Sequence, residues 1–593
     1  MSARPKITLE NASSAEVLLA LLAHRGVDYF FANAGTDFPS IVEGFAKAQA
    51  TGGHAPQPIT VPHENAAVAM AYGYYLQTGR PQAVMVHVNV GTANAAGGLI
   101  NASRENIPIL MMAGRNPIAE GGRYGARSAF IHWAQDSYDQ AAMLREYMKW
   151  DYELRHESDV ETTIDRALQM AGSTPTGPVY LTLPREALAQ EHAAYSFHAE
   201  SRLPAAPPGI PDPALIDQAA QALATAKAPL IVTSTVGKNP AAVAALEDLA
   251  ARFALPVIQP MGRFMNIADD HPMNLGFAYG DHLANADVIL LVDCDAPWVP
   301  DVQAPNSDAT VITLAADPTF SHIPIRGFAA DIPLQGASDL GMQALAAALD
   351  DKVSKNVASR TAIETRRQRL TDQHQAVFDA YRAATSDGAA ADGPIDPAWA
   401  SRIVGEVCGA DAIYVSEYPL QRPQLRLSKP GSFFGVPPAG ALGWGMGCAL
   451  GMKLACPDKL VVAALGDGAY IFNNPAACHL IAAANDLPLL TIVFNNEMWG
   501  AVRGATMQMI PDGYAARANG PVPLSSLTPS PAFEMFVEAN GGAGFKVDTA
   551  AELKPALEKA CAVVTDEKRQ AVVHIRTGFG SRYPNLNAKP GRT

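Results

Sequence analysis

The stretch "GDGAYIFNNPAACHLIAAANDLPLLTIVFNN", residues 466–496, combines an acid between two glycines with an asparagine pair. Its pattern predicts a turn, then a helix over roughly residues 474–485, then a buried strand that ends at Asn495 and Asn496. An acid between two glycines therefore precedes the helix, and two asparagines follow the strand. Because open α/β sheets bind ligands at the carboxyl ends of neighbouring parallel strands, we expect Asp467 and the asparagines to meet at such an edge.

The residue types at this edge are suited to a metal ion that holds a phosphate. A carboxylate and an amide oxygen form a sparse set of hard ligands, which suits Mg²⁺ that keeps water and substrate phosphate as its other ligands. Gly466 and Gly468 would allow the backbone to approach a phosphate closely. Alone, "GDG" is also typical of a tight turn, and the asparagine pair of a strand-end cap. The helix and strand between Asp467 and Asn496 favour the metal site.

The composition indicates a large globular protein. At 593 residues the chain is too long for one core, so three or four domains are expected. The formal net charge of −14 argues against a nucleic-acid groove, and no apolar run reaches membrane-spanning length. The amino terminus has no apolar signal-peptide core, and the six cysteines are scattered without a CxxC spacing. We therefore expect a cytoplasmic protein with reduced cysteines and with neither nucleic-acid nor membrane partners.

Two segments rich in proline and small residues divide the chain. They cover residues 191–213 and 384–397, and they predict domains at 1–190, 212–350 and 395–593. Each domain alternates helices with short apolar strands, such as "QAVMVHV", "ADVILLVD" and "LVVAALG". This alternation predicts an α/β fold with mostly parallel sheets in all three domains.

The first and third domains also resemble each other. Residues 69–91 and 447–468 both show a small-residue helix, a proline-containing turn, a strand and then a glycine. Helix–turn–strand is a generic pattern, so the repeat is a weak one. It predicts two similar domains that flank a third.

With its "GDG" and asparagine pair one helix and one strand apart, the chain resembles the thiamine-diphosphate-dependent enzyme superfamily over essentially its whole length. The resemblance implies an N-terminal pyrimidine-binding domain, a central Rossmann-like domain and a C-terminal domain that binds diphosphate and Mg²⁺. It also implies that Asp467, Asn496 and the backbone carbonyl of Met498 bind Mg²⁺, which bridges the diphosphate of the cofactor.

A carboxylate near the other end of the chain belongs to the same family pattern. Glu64, in "VPHENAAVAMAYGYY", begins a helix rich in Ala, Val, Met and Tyr. The resemblance implies that Glu64 bonds the aminopyrimidine ring of thiamine diphosphate and favours the imino tautomer that removes the C2 proton. The alternative is an acid that stabilises the helix N-terminus through the helix dipole. The resemblance further implies that Glu64 faces Asp467 of a second subunit, so we expect a homodimer at minimum and a homotetramer of paired dimers.

Further residues match the family one at a time. In "FGVPPAGALGWGMG", the carbonyl of Gly440 would accept from the aminopyrimidine amine, and Leu442 would hold the cofactor bent, although Leu442 also fits a core position. Asn94, in "GTANAAGG", would help to close the partner side of the site. Trp499 predicts an apolar pocket wall and equally fits a core position. The remaining cofactor-binding candidates are Gly35, Gly466, Gly468, Ala469, Phe472 and Gly500.

Two residues indicate a reaction similar to that of benzoylformate decarboxylases. Thr36, in "FANAGTDFPSI", takes the position of a hydroxyl residue that faces the substrate, and His87, in "MVHVNVGTAN", that of an active-site histidine. His87 would relay protons because histidine titrates near neutral pH, whereas the alternative is a strand-end histidine bonded to backbone. A second family histidine has no counterpart, and the central domain offers Asp295, Trp298 and Asp301 instead.

The resemblance thus implies a thiamine-diphosphate- and Mg²⁺-dependent enzyme that cleaves or forms carbon–carbon bonds, with a 2-oxo acid or 2-hydroxyacyl substrate. The favoured interpretation is a non-oxidative 2-oxo acid decarboxylase or carboligase. An acetolactate-synthase-like condensation, a 2-hydroxyacyl-CoA lyase and an inactive scaffold subunit stay open. FAD, ADP or CoA in the middle domain also stays open, although "VTSTVGKNPAA" is no clear dinucleotide fingerprint and "GWGMGCA" predicts helix packing.

Overall fold

The computed structural model describes residues 4–385, 388 and 393–579, which form two compact units. The first unit holds the chain up to Pro207 together with Pro437–Asp458 and Ala469–Leu489. The second unit holds Pro208–Val436, Lys459–Gly468 and the chain from Leu490 onward. No helix among the described residues combines the length and the apolar character that crossing a membrane requires.

The first part of the chain builds a six-stranded parallel sheet and an antiparallel strand pair. Its strands are β1 (Lys6–Ser13), β2 (Tyr29–Ala32), β3 (Gln57–Thr60), β4 (Ala83–Val86), β5 (Leu110–Arg115), β6 (Trp150–Glu153), β7 (Val179–Pro184) and β8 (Glu191–His198). Its helices are α1 (Ser14–His24), α2 (Pro39–Thr51), α3 (Glu64–Thr78), α4 (Val88–Asn94), α5 (Ala96–Arg104), α6 (Ile131–Ala134), α7 (Val160–Gly172) and α8 (Arg185–Ala189). The parallel sheet has the order β3-β2-β4-β5-β7-β6.

Strand β8 changes the interpretation of residues 191–213, which the sequence pattern predicts to be a linker. The first eight of these residues pair antiparallel with β1, so that Lys6 lies opposite His198. The strand forms because Phe197 is buried on one face of the pair, and prolines begin only at Pro204. Only the proline-rich remainder of the segment therefore connects two domains.

The central part of the chain builds a five-stranded sheet that is parallel throughout. Its strands are β9 (Pro229–Thr233), β10 (Val257–Ile258), β11 (Val288–Val292), β12 (Thr310–Ala315) and β13 (Ile332–Gln335). Its helices are α9 (Pro213–Thr225), α10 (Pro240–Phe253), α11 (His282–Asn285), α12 (Ser338–Ser354) and the long α13 (Val357–Ala383). The strand order is β10-β9-β11-β12-β13. Strand β10 lies on one side of β9 and β11 on the other, so the direction in which strands are added reverses at β9, as in other doubly wound α/β sheets.

The last part of the chain builds a second six-stranded parallel sheet. Its strands are β14 (Ile413–Glu417), β15 (Phe433–Gly435), β16 (Val461–Gly466), β17 (Leu490–Asn495), β18 (Ala543–Val547) and β19 (Ala571–Arg576). Its helices are α14 (Pro397–Cys408), α15 (Gly445–Ala455), α16 (Asp467–Phe472), α17 (Pro475–Ala484), α18 (Gly500–Met509), α19 (Tyr514–Arg517), α20 (Met535–Glu538) and α21 (Ala550–Thr565). Strands β16 and β17 are buried along almost their whole length, which explains their continuous apolar sequences.

The first and last sheets share one strand order. The last sheet runs β15-β14-β16-β17-β19-β18, and when the strands of each sheet are counted from its own first strand, both read 2-1-3-4-6-5. The predicted architecture is therefore confirmed: two similar α/β domains flank a third, and the sheets are mostly parallel.

Helices α3 and α15, both in the first unit, pack with their backbones in close contact. A Cβ atom added at Gly73 would lie 2.0 Å from the carbonyl oxygen of Cys448, and one added at Gly451 would lie 2.0 Å from that of Met70. Glycine is needed at both positions because no side chain fits between the helices. The prediction that "GWGMGCA" serves helix packing is confirmed by this contact.

We expect Gly73→Ala to lower the melting temperature of the protein. Alanine is the better helix former by about 1 kcal/mol, but its Cβ would collide with the backbone of α15, and overpacking of this kind typically costs about 1–3 kcal/mol. Gly504→Ala in α18 is the matched control, because a Cβ at Gly504 meets nothing within 4 Å. Melting followed by circular dichroism should show a loss only for Gly73→Ala. An unchanged melting temperature in that variant would contradict the close contact.

Candidate active site

The carboxylate of Asp467 lies at the carboxyl end of β16, beside the end of β17. Gly466 pairs with Phe494 across these parallel strands, so Asp467 and Asn495 follow at the same edge of the sheet. The side chain of Asp467 is buried, and its Oδ1 accepts the N–H of Gly468 at 2.8 Å. The predicted turn is replaced by helix α16, which begins directly at Asp467. The structure thus brings the acid and the asparagine pair to one edge, as the strand pattern predicts.

The two asparagines after β17 have different surroundings. Asn495 is buried, and its Nδ2 lies 2.7 Å from Ser530 Oγ and 2.8 Å from His574 Nε2. Asn496 is half-buried, and its Oδ1 accepts the N–H of Met498 at 3.2 Å. Because Asn495 is held by the protein interior, Asn496 is the better candidate for a ligand of a metal ion.

The carboxylate of Asp467 has one oxygen without a partner among the described residues. That oxygen, Oδ2, is buried. Burial raises the pKa of Asp467 to about 6, although backbone N–H donors that include those of Gly468 and Met498 oppose this rise. A buried acceptor without a partner is costly, and a cation would satisfy it.

This donor set fits Mg²⁺. One carboxylate, one amide oxygen and a backbone carbonyl are hard oxygen ligands, and Mg²⁺ commonly takes few protein ligands beside water and phosphate. The described residues contain no group of three His, Cys, Asp or Glu side chains that could hold a metal ion. A site at Asp467 and Asn496 would have one carboxylate among its protein ligands.

The two glycines of "GDG" have different surroundings. A Cβ atom at Gly468 would lie 2.2 Å from Cζ3 of Trp499, so the missing side chain makes room for the indole. A Cβ at Gly466 would meet nothing within 4 Å, which leaves space beside its backbone. Gly500 lies beside Asn496, since its added Cβ would be 3.3 Å from Asn496 Nδ2. Close approach of a phosphate is therefore better supported at Gly466 than at Gly468.

In the first unit, Glu64 begins helix α3 and faces the loop after β4. Its Oε2 accepts from Asn94 Nδ2 at 2.5 Å, and its Oε1 would lie 3.3 Å from a Cβ added at Gly91. The residue before it, His63, provides no side-chain cap to the helix. The structure thus brings two predicted site residues, Glu64 and Asn94, into direct contact.

His87 is held by a carboxylate that the sequence analysis missed. Its Nδ1 lies 2.5 Å from Oδ1 of Asp37, and the other carboxylate oxygen accepts the N–H of Val88 at 3.2 Å. Asp37 is only 6 % exposed, whereas His87 is half-buried. Strands β2 and β4 are neighbours, and Asp37 and His87 follow their carboxyl ends. Asp467 was predicted because ligands bind at the carboxyl ends of neighbouring parallel strands. The same rule would also have identified Asp37.

The carboxylate of Asp37 controls the protonation of His87. Its hydrogen bond to the imidazole raises the pKa of His87 above the usual range, and burial opposes this rise. The negative charges of Asp37 and Glu64 raise it further. His87 therefore holds a proton to higher pH than a free histidine does.

The surroundings of the imidazole involve two further predicted positions. A Cβ atom at Gly35 would lie 2.1 Å from His87 Nδ1, so this glycine makes room for the histidine. Nε2 of His87 lies 3.2 Å from Nε2 of Gln135. Thr36 is exposed, and its neighbour Asp37 rather than Thr36 itself contacts the imidazole.

The loop that contains Gly440 and Leu442 is anchored within the first unit. Asn101 of α5 donates to the carbonyl of Ala441 at 2.8 Å and accepts its N–H at 3.1 Å. Asn65, the residue after Glu64, donates to the carbonyl of Gly443 at 2.9 Å. Gly440 has a φ of +66°, a left-handed conformation that favours glycine. Leu442 is half-buried, so it is not a plain core residue.

Ala469 and Phe472 lie on the short helix α16. Ala469 is buried, whereas Phe472 is 52 % exposed. Asn473, which the sequence analysis did not single out, bonds the carbonyl of Ala469 at 2.7 Å and accepts the N–H of Met446 at 2.7 Å. Asn473 thereby ties this helix to the first turn of α15.

The residues of the central domain that replace the second family histidine are structural or exposed. Asp295 forms an ion pair with Arg263 at 3.1 Å, and this cation holds the pKa of Asp295 below its usual range against the effect of burial. Trp298 is buried against Phe328, and Asp301 is exposed.

The loop after β9 also shows no space for a nucleotide at its glycine. A Cβ at Gly237 would lie 2.5 Å from the carbonyl oxygen of Met265, so the protein chain itself occupies the space.

The chain matches three family models along its length. They are described as the "N-terminal TPP binding domain", the "central domain" and the "C-terminal TPP binding domain" of thiamine pyrophosphate enzymes, and they match residues 13–143, 216–345 and 417–575.

Individual relatives and structures are similar at low identity. The chain is 26% identical to a benzoylformate decarboxylase of Pseudomonas aeruginosa, over 74% of this chain and 79% of that protein. It is 24% identical to the large subunit of acetolactate synthase isozyme 3 of Escherichia coli, over 97% of both chains. A solved structure of a thiamine diphosphate-dependent 4-hydroxybenzoylformate decarboxylase from Rhodococcus jostii RHA1 is similar with a TM-score of 0.74 and 23% identity, over 96% of this chain and 100% of that chain. At this identity the structural likeness shows the fold.

Proposed function

Because the chain belongs to the thiamine pyrophosphate enzyme family, we propose that it is a non-oxidative 2-oxo acid decarboxylase or carboligase that uses thiamine diphosphate and Mg²⁺. The observation that carries the proposal is the hydrogen bond between half-buried His87 and buried Asp37, with Glu64 close enough to influence the imidazole. A decarboxylation needs a proton for the carbon that loses CO₂, and the hydrogen bond to Asp37 raises the pKa of His87, which favours the protonated imidazole.

The residues at the two predicted halves of the site have separate tasks. When bound, thiamine diphosphate supplies a carbon nucleophile and a sink for the electrons of the bond that breaks. Asp467, Asn496 and the carbonyl of Met498 would hold Mg²⁺ and, through it, the diphosphate. Glu64 would bond the aminopyrimidine ring of the cofactor and favour its imino tautomer, with Asn94 fixing the orientation of the carboxylate.

His87 would deliver a proton from Nε2, while Nδ1 stays bonded to Asp37. The short bond to Asp37 fixes the ring orientation, so that Nε2 is the nitrogen that can face a substrate. Thr36 would help to orient the substrate carboxylate, which its exposure allows. As in the family resemblance, we propose a homodimer as the smallest active form.

The proposed activity is tested by incubating the protein with thiamine diphosphate, Mg²⁺ and a panel of 2-oxo acids that includes benzoylformate and pyruvate. We expect release of CO₂ together with an aldehyde. Silence on every 2-oxo acid and on 2-hydroxyacyl-CoA substrates would favour an inactive scaffold instead.

An acetolactate-synthase-like condensation is the second candidate. The similarity to the E. coli acetolactate synthase subunit, which extends over 97% of both chains, favours it. In that reaction the carbon that has lost CO₂ forms a bond to a second 2-oxo acid instead of accepting a proton. Formation of a 2-hydroxy-2-acyl acid from pyruvate, without free aldehyde, would decide in its favour.

The crowded Gly237 gives no support to FAD, ADP or CoA in the central domain, and we do not include them in the proposal.

We expect Asp37→Asn to shift the basic limb of the kcat/KM profile to lower pH. The Asp37 hydrogen bond raises the pKa of His87, so His87 loses its proton at lower pH once that carboxylate is neutral. If protonated His87 is the proton donor, kcat/KM at pH 8 should fall more than about tenfold, with a smaller loss at pH 6, on the scale of acid–base catalysis. The measurement is kcat/KM on the best 2-oxo acid between pH 5.5 and 9, in steps of about half a unit.

His87→Ala provides the comparison for that experiment. It should lower kcat by about 10²-fold in the pH range where His87 of the parent is protonated, with a smaller loss at higher pH, while leaving cofactor affinity alone. Glu120→Gln is the matched control, because Glu120 is an exposed acid of the same domain. A His87→Ala enzyme as fast as the parent would mean that the histidine is structural.

A further inference from the structure

The central domain contains a cavity of about 650 Å³ at the amino ends of its strands. Pro229, the first residue of β9, and Pro256, which precedes β10, lie in its wall. Asn285, the last residue of α11, lines it just before β11. Ligands of open α/β sheets bind at the opposite, carboxyl ends of the strands. The cavity is therefore separate from the edge at which this fold usually holds nucleotides.

One face of helix α13 forms the other wall of the cavity. Arg366, Arg369, Gln373, Val377 and Ala380 all line it, at spacings of three and four residues. Such spacings place side chains on a single helix face. The cavity has a size typical of small-molecule sites, and most of its wall is apolar.

Two arginines line the cavity, and the guanidinium group of only one of them is bonded within the described residues. Arg366 is buried and donates Nε to the carbonyl of Ala254 at 2.8 Å and Nη2 to that of Phe253 at 2.9 Å. These bonds anchor Arg366 and use two of its five donors. Arg369 is exposed, and in the described part of the chain it has no carboxylate within ion-pair distance. One acid, Asp281, also lines the cavity.

The positively charged residues that line the cavity repel one another. Burial and then the charge of Arg369 lower the pKa of Arg366 to about 10. Burial and then the charge of Arg369 also lower the pKa of His282, whereas the charge of Asp281 raises it. An anion between these groups would relieve the repulsion.

Gln373 adds an unsatisfied acceptor. Its Oε1 is buried and has no hydrogen-bond partner among the described residues, although its side chain lines the cavity. Buried polar atoms in native proteins are usually paired, so a group from outside the chain is a reasonable partner. The apolar surface beside it comes from residues such as Leu275 and Val377.

We propose that this cavity binds a small organic carboxylate with an apolar body. The carboxylate pairs with Arg369 and with the remaining donors of Arg366, since guanidinium groups match carboxylates in geometry and charge. The apolar body lies against Leu275 and Val377, and a hydroxyl or amide N–H of the ligand can reach Gln373. The proposal depends on the central domain alone and stands whatever reaction the enzyme catalyses.

The test uses 4-phenylbutyrate as the probe and isothermal titration calorimetry on the full-length protein with thiamine diphosphate and Mg²⁺ present. We expect saturable binding of one equivalent per chain in the cavity. The neutral analogue 4-phenylbutyramide should bind at least about tenfold more weakly, because it lacks the charge-assisted bonds to arginine.

Two variants identify the site of binding. Arg369→Gln should weaken the affinity for 4-phenylbutyrate about tenfold or more, and Ala380→Trp should abolish binding by filling the cavity. Arg360→Gln is the matched control, because Arg360 is an exposed arginine of the same helix that does not line the cavity. Turnover should be unchanged in all three variants.

The proposal is overturned if no saturable binding is seen up to about 10 mM, a concentration that would detect even a millimolar Kd. Equal affinities for the acid and the amide would also overturn it. Unchanged affinity in Arg369→Gln and Ala380→Trp would also overturn the proposal, because the probe would then bind elsewhere. The proposal would equally be overturned if Arg360→Gln lost as much affinity as Arg369→Gln.

Discussion

Asp467→Ala is expected to abolish turnover and to remove the binding of thiamine diphosphate with Mg²⁺. Asp467 is the charged member of the proposed ligand set, and Oδ2 has no partner among the described residues. A metal ion that neutralises a diphosphate contributes several kcal/mol, so we expect a loss of at least about 10³-fold in kcat/KM. Cofactor binding is measured by titration calorimetry at saturating Mg²⁺, and turnover by CO₂ release.

The same variant separates a metal ligand from a structural acid. Removing a buried, partly unpaired carboxylate relieves a desolvation cost, so the melting temperature without cofactor should stay the same or rise. Asp458→Ala is the matched control, since Asp458 is an exposed acid shortly before β16. Full activity of Asp467→Ala, or of the parent protein after removal of metal and cofactor, would contradict the proposed site.

Glu64→Gln is expected to leave cofactor binding intact and to slow the reaction by at least about 10²-fold, the scale of a positioned acid or base. Glutamine keeps the shape of the side chain and can still accept the bond from Asn94. It carries no charge with which to favour the imino tautomer of the aminopyrimidine. Hydrogen–deuterium exchange at C2 of thiamine diphosphate, followed by NMR in the presence of the protein, measures the step directly.

A control variant makes the Glu64 result specific. Glu43→Gln changes an exposed acid on α2 and should leave both the exchange rate and turnover unchanged. An exchange rate in Glu64→Gln equal to that of the parent would mean that the acid only stabilises the start of its helix. Loss of cofactor binding in Glu64→Gln would instead point to a role in holding the cofactor.

Several features follow from the sequence by itself, because they depend on neighbouring residues. The pattern of residues 466–496 predicts helix α17 and strand β17 almost to the residue, since periodicity and turn residues are local properties. The alternation of helices with buried apolar strands predicts parallel sheets, because such strands must be covered on both faces. The faint similarity of residues 69–91 and 447–468 correctly predicts two similar domains, and the structure shows that their sheets share one strand order.

Other features depend on residues that are far apart in the sequence and become visible in the folded structure. Strand β8 lies in a segment read as a linker, because its partner β1 is almost 200 residues away. The side chain of Asn495 is committed to His574, which distinguishes it from Asn496 although the two are adjacent in sequence. Asp37 acquires its importance from His87, which follows a different strand. Local sequence determines which strands and helices form, whereas the partner of a polar side chain depends on which chain segments the folded sheet brings to one edge.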